Sequence, residues 1–107
     1  MSEITNQSLQ SIIKRIKSKE VSSEELTKAY IKNIESAKKL NAFVTTTFDL
    51  ALEKAKQFDN KPNFEQLLPG IPIAVKDLFC TTNVKTTTGS NILSNFIPDY
   101  ESTVTNN

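Results

Sequence analysis

Apolar side chains at Leu9, Ile12, Ile13 and Ile16 recur at i, i+3, i+4 and i+7, the stripe of an amphipathic helix. Lys14, Arg15, Lys17 and Lys19 occupy its other faces. A basic face admits contact with a membrane or a nucleic acid, but Glu20, Glu24 and Glu25 follow directly and favour a solvated surface. Ser22 and Glu25 have the spacing of a capping box, in which the hydroxyl accepts from the third helical N–H and the carboxylate reaches back. A second helix is predicted from residue 23 to about 38, buried through Leu26, Tyr30, Ile34 and Ala37. Lys38 and Lys39 suit the negative end of its dipole. The two helices are expected to pair antiparallel.

The pattern then changes. Residues 42–48 are rich in β-formers and predict a first strand. Asp49 is placed to cap a third helix through about Asp59, with Leu52, Ala55 and Phe58 inward. Residues 60–69 read as a surface loop from their Pro and Asn content. Ile71-Pro72-Ile73-Ala74-Val75, entered through Gly70, predicts a strand that is apolar on both faces, as in the middle of a covered sheet. A turn through Asn83 follows, then a candidate strand at 84–88 and a short helix at 90–96 ended before Pro98. Glu101-Ser102-Thr103-Val104 opens another helix, with Ser102 or Glu101 near its cap. The sequence stops at Asn107, inside that first turn, which is expected of an interrupted chain.

Lys76 ends the apolar run and Asp77 follows at once. Two readings are open. In one, the side chain snorkels to the surface or pairs with Asp77 or another acid. In the other, burial in a closed site favours its neutral amine and makes it a general base. Thr86, Thr87 and Ser90 either touch a substrate or cap turns and the next helix.

Composition narrows the chemistry by what is missing. At 107 residues there is room for one domain at most. The net charge of +1, from 13 basic and 12 acidic residues, leaves no electrostatic footprint for nucleic acid. Without histidine the chain holds neither a Ser-His-Asp triad nor a His-based metal site. Its one cysteine, Cys80, cannot form an internal disulfide and suits a reducing compartment; it reads as a small buried hydrophobe. The start of the chain reads as neither a signal nor a transit peptide, and no apolar run reaches the ~18 residues of a membrane span. Only Gly70 and Gly89 are glycines, so neither a phosphate-cradling loop nor a nucleophile elbow can be built. Ser11–Lys14 and Ser36–Lys39 match S-x-x-K by spacing, without the companion elements that pattern needs.

GIPIAVKD at 70–77 followed by TTTGS at 86–90 resembles the first block of the amidase signature family, whose members use a Ser–cis-Ser–Lys triad. Ser90-Asn91-Ile92-Leu93, Asn95-Phe96-Ile97-Pro98, Tyr100 and Ser102-Thr103-Val104 narrow the match, as do VSSEEL and LNAFVTTTFDLAL upstream. They are similar to the branch of that family that hydrolyses glutamine within tRNA-dependent amidotransferases. The resemblance covers about residues 8–105.

It implies an α/β fold: helices first, over about residues 8–59, then the lysine strand and turns at about 68–90 as the opening of a larger mixed sheet left incomplete at 107. It also implies that Lys76 is the catalytic lysine, with the nucleophile and cis-Ser in a downstream Gly/Ser-rich loop outside these residues. The chain by itself is therefore expected to be inactive and marginally stable. The implied partners are the B and C subunits, glutamine, and misacylated tRNA met through the complex, in the cytoplasm. ATP and Mg²⁺ belong to one of those partners, and no cofactor or metal is assigned to this chain. Two alternatives are a piece of a stand-alone amidase and a non-catalytic interaction module. The wording of 91–104 counts against the first, and retention of Lys76 and Gly70 against the second.

Overall fold

The computed structural model describes the backbone of residues 2–106 and the side chains of residues 4–103 and 105. Its helices are α1 (Ser2–Thr5), α2 (Leu9–Lys17), α3 (Ser23–Ser36), α4 (Phe48–Asn60) and α5 (Thr103–Asn106), with a 3-10 turn at Lys38–Leu40. The chain divides into two units. One holds the residues up to Asn41 together with Phe48–Pro72, the other Ala42–Thr47 and the residues from Ile73 onward.

In the first unit the helix ends follow from local chemistry. Ser8 caps α2, its hydroxyl accepting from the Ser11 N–H at 3.2 Å. The other end of α2 closes as a Schellman motif. Lys19 adopts φ 62°, its N–H donates to the Ile16 carbonyl at 3.1 Å, and the Glu20 N–H donates to the Arg15 carbonyl at 3.0 Å. An ion pair between Arg15 and Glu20, at 3.2 Å, stands where such motifs usually place an apolar contact.

Ser22 caps α3, accepting from the Glu25 N–H at 3.1 Å, so half of the expected capping box forms. The carboxylate at this helix start is not that of Glu25. Asp59, near the end of α4, accepts from the Ser23 N–H at 2.9 Å and the Glu24 N–H at 3.0 Å. This joins the end of α4 to the start of α3. The most extensive helix-to-helix contacts of α3 are with α4 and α1 rather than with α2. The helix α2 joins the core through Ile12 and Ile16, which pack with Ile4, Val21, Leu26 and Ala29. Leu9, expected in the stripe, is exposed.

Gly70 locks the segment after α4 onto this unit. Its φ is +68°, its carbonyl accepts from the Ser23 hydroxyl at 2.7 Å, and an added Cβ would lie 2.8 Å from a Phe58 ring carbon. Phe58 in turn meets Phe64 edge-on, with ring centroids 5.7 Å apart.

The second unit is built from turns. No strand forms among the described residues; the one ladder contact is an isolated antiparallel bridge between Thr81 and Val84. The strands expected at 42–48, 71–75 and 84–88 thus do not form: 42–47, 71–75 and 84–88 are irregular or turn, and Phe48 opens α4. A strand needs a neighbour for its N–H and C=O groups, and none of the described residues pairs with 71–75 in a ladder. Ile73, Ala74 and Val75 are exposed rather than buried, Ile73 at 69%. The helix expected at 90–96 is replaced by turns closed by Ser94 N–H to Asn91 O and Phe96 N–H to Leu93 O. The unit is tied instead by Asn83 N–H to Pro98 O at 2.9 Å, Thr86 N–H to Phe96 O at 3.0 Å and Ser102 N–H to Cys80 O at 2.8 Å. Ser102 caps α5 as expected, accepting from the Thr105 N–H at 3.2 Å.

Candidate active-site segment around Lys76

Lys76 lies in the second unit and its side chain is exposed. Its carbonyl accepts from the Phe79 N–H at 3.1 Å, so the apolar run ends in a tight turn. The ion pairs seen among the described residues are Arg15–Glu20 and Lys28–Glu24, and neither involves Lys76. Asp77 is not its partner either.

The Asp77 carboxylate points into residues 87–89. One oxygen accepts from the Thr87 N–H at 2.8 Å; the other accepts from the Thr87 hydroxyl and, at 3.3 Å, from the Gly89 N–H. The Asp77 carbonyl accepts from the Thr88 N–H at 2.8 Å. Hydrogen bonds from Thr87, first its hydroxyl and then its N–H, hold the Asp77 carboxyl below its ordinary value. Thr88 and Gly89 have φ of 53° and 70°. No atom lies within 4 Å of a Cβ built on Gly89, so glycine serves the left-handed conformation there rather than a close approach.

These contacts decide most of the open hydroxyl readings. Thr86 and Thr87 are buried and bonded within the unit, Thr86 through its hydroxyl to the Val84 carbonyl at 3.1 Å. Ser90 accepts from the Ile92 N–H at 3.2 Å, a turn cap. Cys80 is half-buried, and its thiol donates to the Tyr100 hydroxyl at 3.5 Å. That thiol is the main cause that pushes the Tyr100 phenol above its ordinary value. In the S-x-x-K matches, Ser36 donates to the Lys32 carbonyl at 2.9 Å and Ser11 accepts from the Ser8 hydroxyl at 3.0 Å, so neither serine bonds its lysine.

Sequence reasoning singled out Lys76 and missed the role of Asp77. The available signal was an acid followed ten residues later by hydroxyls and a glycine, TTTG, which together suit an anion-binding turn. No hydroxyl among the described residues is bonded to the Lys76 amine, and no cluster of three metal-ligating side chains occurs among them. No buried side-chain nitrogen or oxygen among them lacks a partner.

Residues 25–107 match the family model described as Amidase. Over 107 residues the chain is 61% identical to the A subunit of the glutamyl-tRNA(Gln) amidotransferase of Pelagibacter ubique, covering 100% of this chain and 22% of that protein. The same-named proteins of Rickettsia bellii and Parvibaculum lavamentivorans are 51% and 48% identical over 109 residues, again across 100% of this chain and 22% of each relative. The chain spans about a fifth, 22%, of the length of the curated relatives it matches.

Proposed function

This chain belongs to the amidase family, and from that premise we propose that it supplies the lysine-bearing part of the glutamine-hydrolysing subunit of a tRNA-dependent amidotransferase. One observation carries this reading: identity of 61% across the whole chain to the A subunit of a glutamyl-tRNA(Gln) amidotransferase. It favours the amidotransferase over a stand-alone amidase.

In the complete subunit, Lys76 acts as the base. A neutral amine takes a proton through an intermediate serine and so activates a nucleophilic serine for attack on the glutamine amide. Both serines come from outside these residues, and so do the backbone N–H groups that stabilise the oxyanion. The sheet that encloses the lysine is a mixed one, with 71–75 as one of its strands, which makes the whole an α/β fold. Burial of Lys76 in that sheet favours the neutral amine.

The ammonia released passes to a partner, which uses ATP and Mg²⁺ to amidate glutamate or aspartate carried on tRNA. The B and C subunits complete the assembly, which works in the cytoplasm. The residues of this chain do not fit a nucleotide, having two glycines and no phosphate-cradling loop. No helix among the described residues is long and apolar enough to cross a membrane.

The test is glutaminase activity of the full-length protein, assembled with its partners, with and without Lys76→Ala. Ammonia release that Lys76→Ala abolishes supports the reading. Turnover that persists in Lys76→Ala removes the lysine from the mechanism.

A further inference from the structure

Asp77 directly follows the proposed catalytic lysine, an arrangement that invites an ion pair between the two. The structure spends the carboxylate elsewhere. Thr87 gives it two hydrogen bonds, from its N–H at 2.8 Å and from its hydroxyl, and the Gly89 N–H adds a third at 3.3 Å. The Thr88 N–H, at 2.8 Å, takes the Asp77 carbonyl. Three consecutive residues are thereby fastened to one, and Thr87 is buried among them.

This has a direct consequence for Lys76. Asp77 is held at both its side chain and its carbonyl, while the Lys76 carbonyl is held by the Phe79 N–H at 3.1 Å. The peptide between residues 76 and 77 is planar, so fixing its two sides fixes the Lys76 Cα and its Cα–C axis and confines the Cα–Cβ bond to a cone about that axis. A flexible four-carbon stem depends on that anchoring to deliver its amine to one place. We propose that Asp77 is a positioning residue for Lys76: by clasping residues 87–89 it fixes the Cα and the axis from which the lysine leaves the backbone, and it keeps its own carboxylate from pairing with the amine. The inference rests on the reading of Lys76 as the catalytic base.

The test uses the full-length protein in its assembled enzyme. Glutaminase kcat, KM for glutamine, the pH profile of kcat and the thermal midpoint are measured for Asp77→Asn, Thr87→Val, Thr87→Ser and Lys76→Ala. An amide at residue 77 cannot accept at both of its terminal atoms, so Asp77→Asn loses part of the clasp. The expected result is a kcat lower by roughly ten- to a hundredfold, the cost of a misplaced catalytic group, with KM nearly unchanged and the pH limb of the lysine displaced. Thr87→Ser, which keeps the hydroxyl, retains more activity than Thr87→Val.

A purely structural role would lower the folded fraction and leave the pH profile of the folded enzyme where it was; that outcome overturns the proposal. So does Asp77→Asn with the parent's kcat and pH profile beside an inactive Lys76→Ala. Turnover that survives Lys76→Ala overturns the reading of the lysine itself, and the two failures are thus distinguishable. If Asp77→Asn does not fold, Thr87→Val against Thr87→Ser decides by the same readouts, and equal kcat and pH profiles overturn the proposal.

Discussion

The Asp59 carboxylate receives the Ser23 N–H at 2.9 Å, across 36 residues of sequence. With Glu24 N–H at 3.0 Å on the other oxygen, one side chain of α4 satisfies two of the amides that the start of α3 leaves open. A charged acceptor at a helix N-terminus is also favoured by the helix dipole. Asp59→Ala is therefore expected to destabilise the full-length protein by about 0.5–2 kcal/mol, the range seen for lost N-caps. Asp59→Asn should fall between, and urea unfolding of the three forms gives the order.

Gly70 is constrained twice, by its φ of +68° and by the Phe58 ring beside it. An alanine Cβ would stand 2.8 and 2.9 Å from two ring carbons. Gly70→Ala should cost about 1–3 kcal/mol from overpacking, with a further ~1 kcal/mol from the left-handed backbone. Adding Phe58→Leu should return only the packing part, and thermal unfolding of the single and double variants separates the two.

Lys19 offers the opposite case. It holds the left-handed position of the Schellman motif at φ 62°, where glycine carries no Cβ penalty. Lys19→Gly should raise stability by up to about 1 kcal/mol, reduced by the entropy that glycine adds to the unfolded chain. A lowered unfolding midpoint would contradict this.

The pH dependence follows from two carboxyls held below their ordinary values, Asp77 by Thr87 and Glu24 first by its hydrogen bond to Lys28. A lowered folded value means that stability is fully present above the ordinary values of 3.8 and 4.5 and is lost as pH falls through the folded ones. Unfolding midpoints should hold level above about pH 5 and decline below it. Asp77→Asn should make that decline shallower. Salt should weaken the Glu24 share, whose partner Lys28 lies on the exposed face of α3, more than the Asp77 share.

The 107 residues on their own should release no ammonia from glutamine, because Lys76 is exposed and bonds no hydroxyl. They should also associate, given Leu67 at 91% and Ile92 at 94% exposure. Activity and sedimentation of the purified chain check both. A monomer with turnover that depends on Lys76 would refute them.

What was legible in the sequence follows the range of the interactions. Ser22 and Ser102 were readable because a cap is settled within three residues; the Ser8 cap, just as local, was not read. The core stripe of α2 was readable because Ile12 and Ile16 sit one turn apart. Asp59 left no local mark, since its partners lie 35 and 36 residues away. The strand at 71–75 was read from its own composition, but a strand is a relation between two segments, and none of the described residues supplies the second. In the lysine segment the residue type was legible at Lys76. The clasp of Asp77 was not, because only the backbone of Thr88 and Gly89 shows that their amides turn to meet it.

The amides of Thr87, Thr88 and Gly89 belong to neither helix nor strand, and by that measure they should trade their protons with water quickly. They end instead on a single residue, so releasing Asp77 frees all three and holding it shelters all three. Hydrogen exchange in this turn should then be cooperative, the three amides sharing one opening free energy set by one opening event. A loop that exchanges as a unit behaves as a small piece of ordered structure, and the lysine beside it is mounted on something firmer than its irregular backbone suggests.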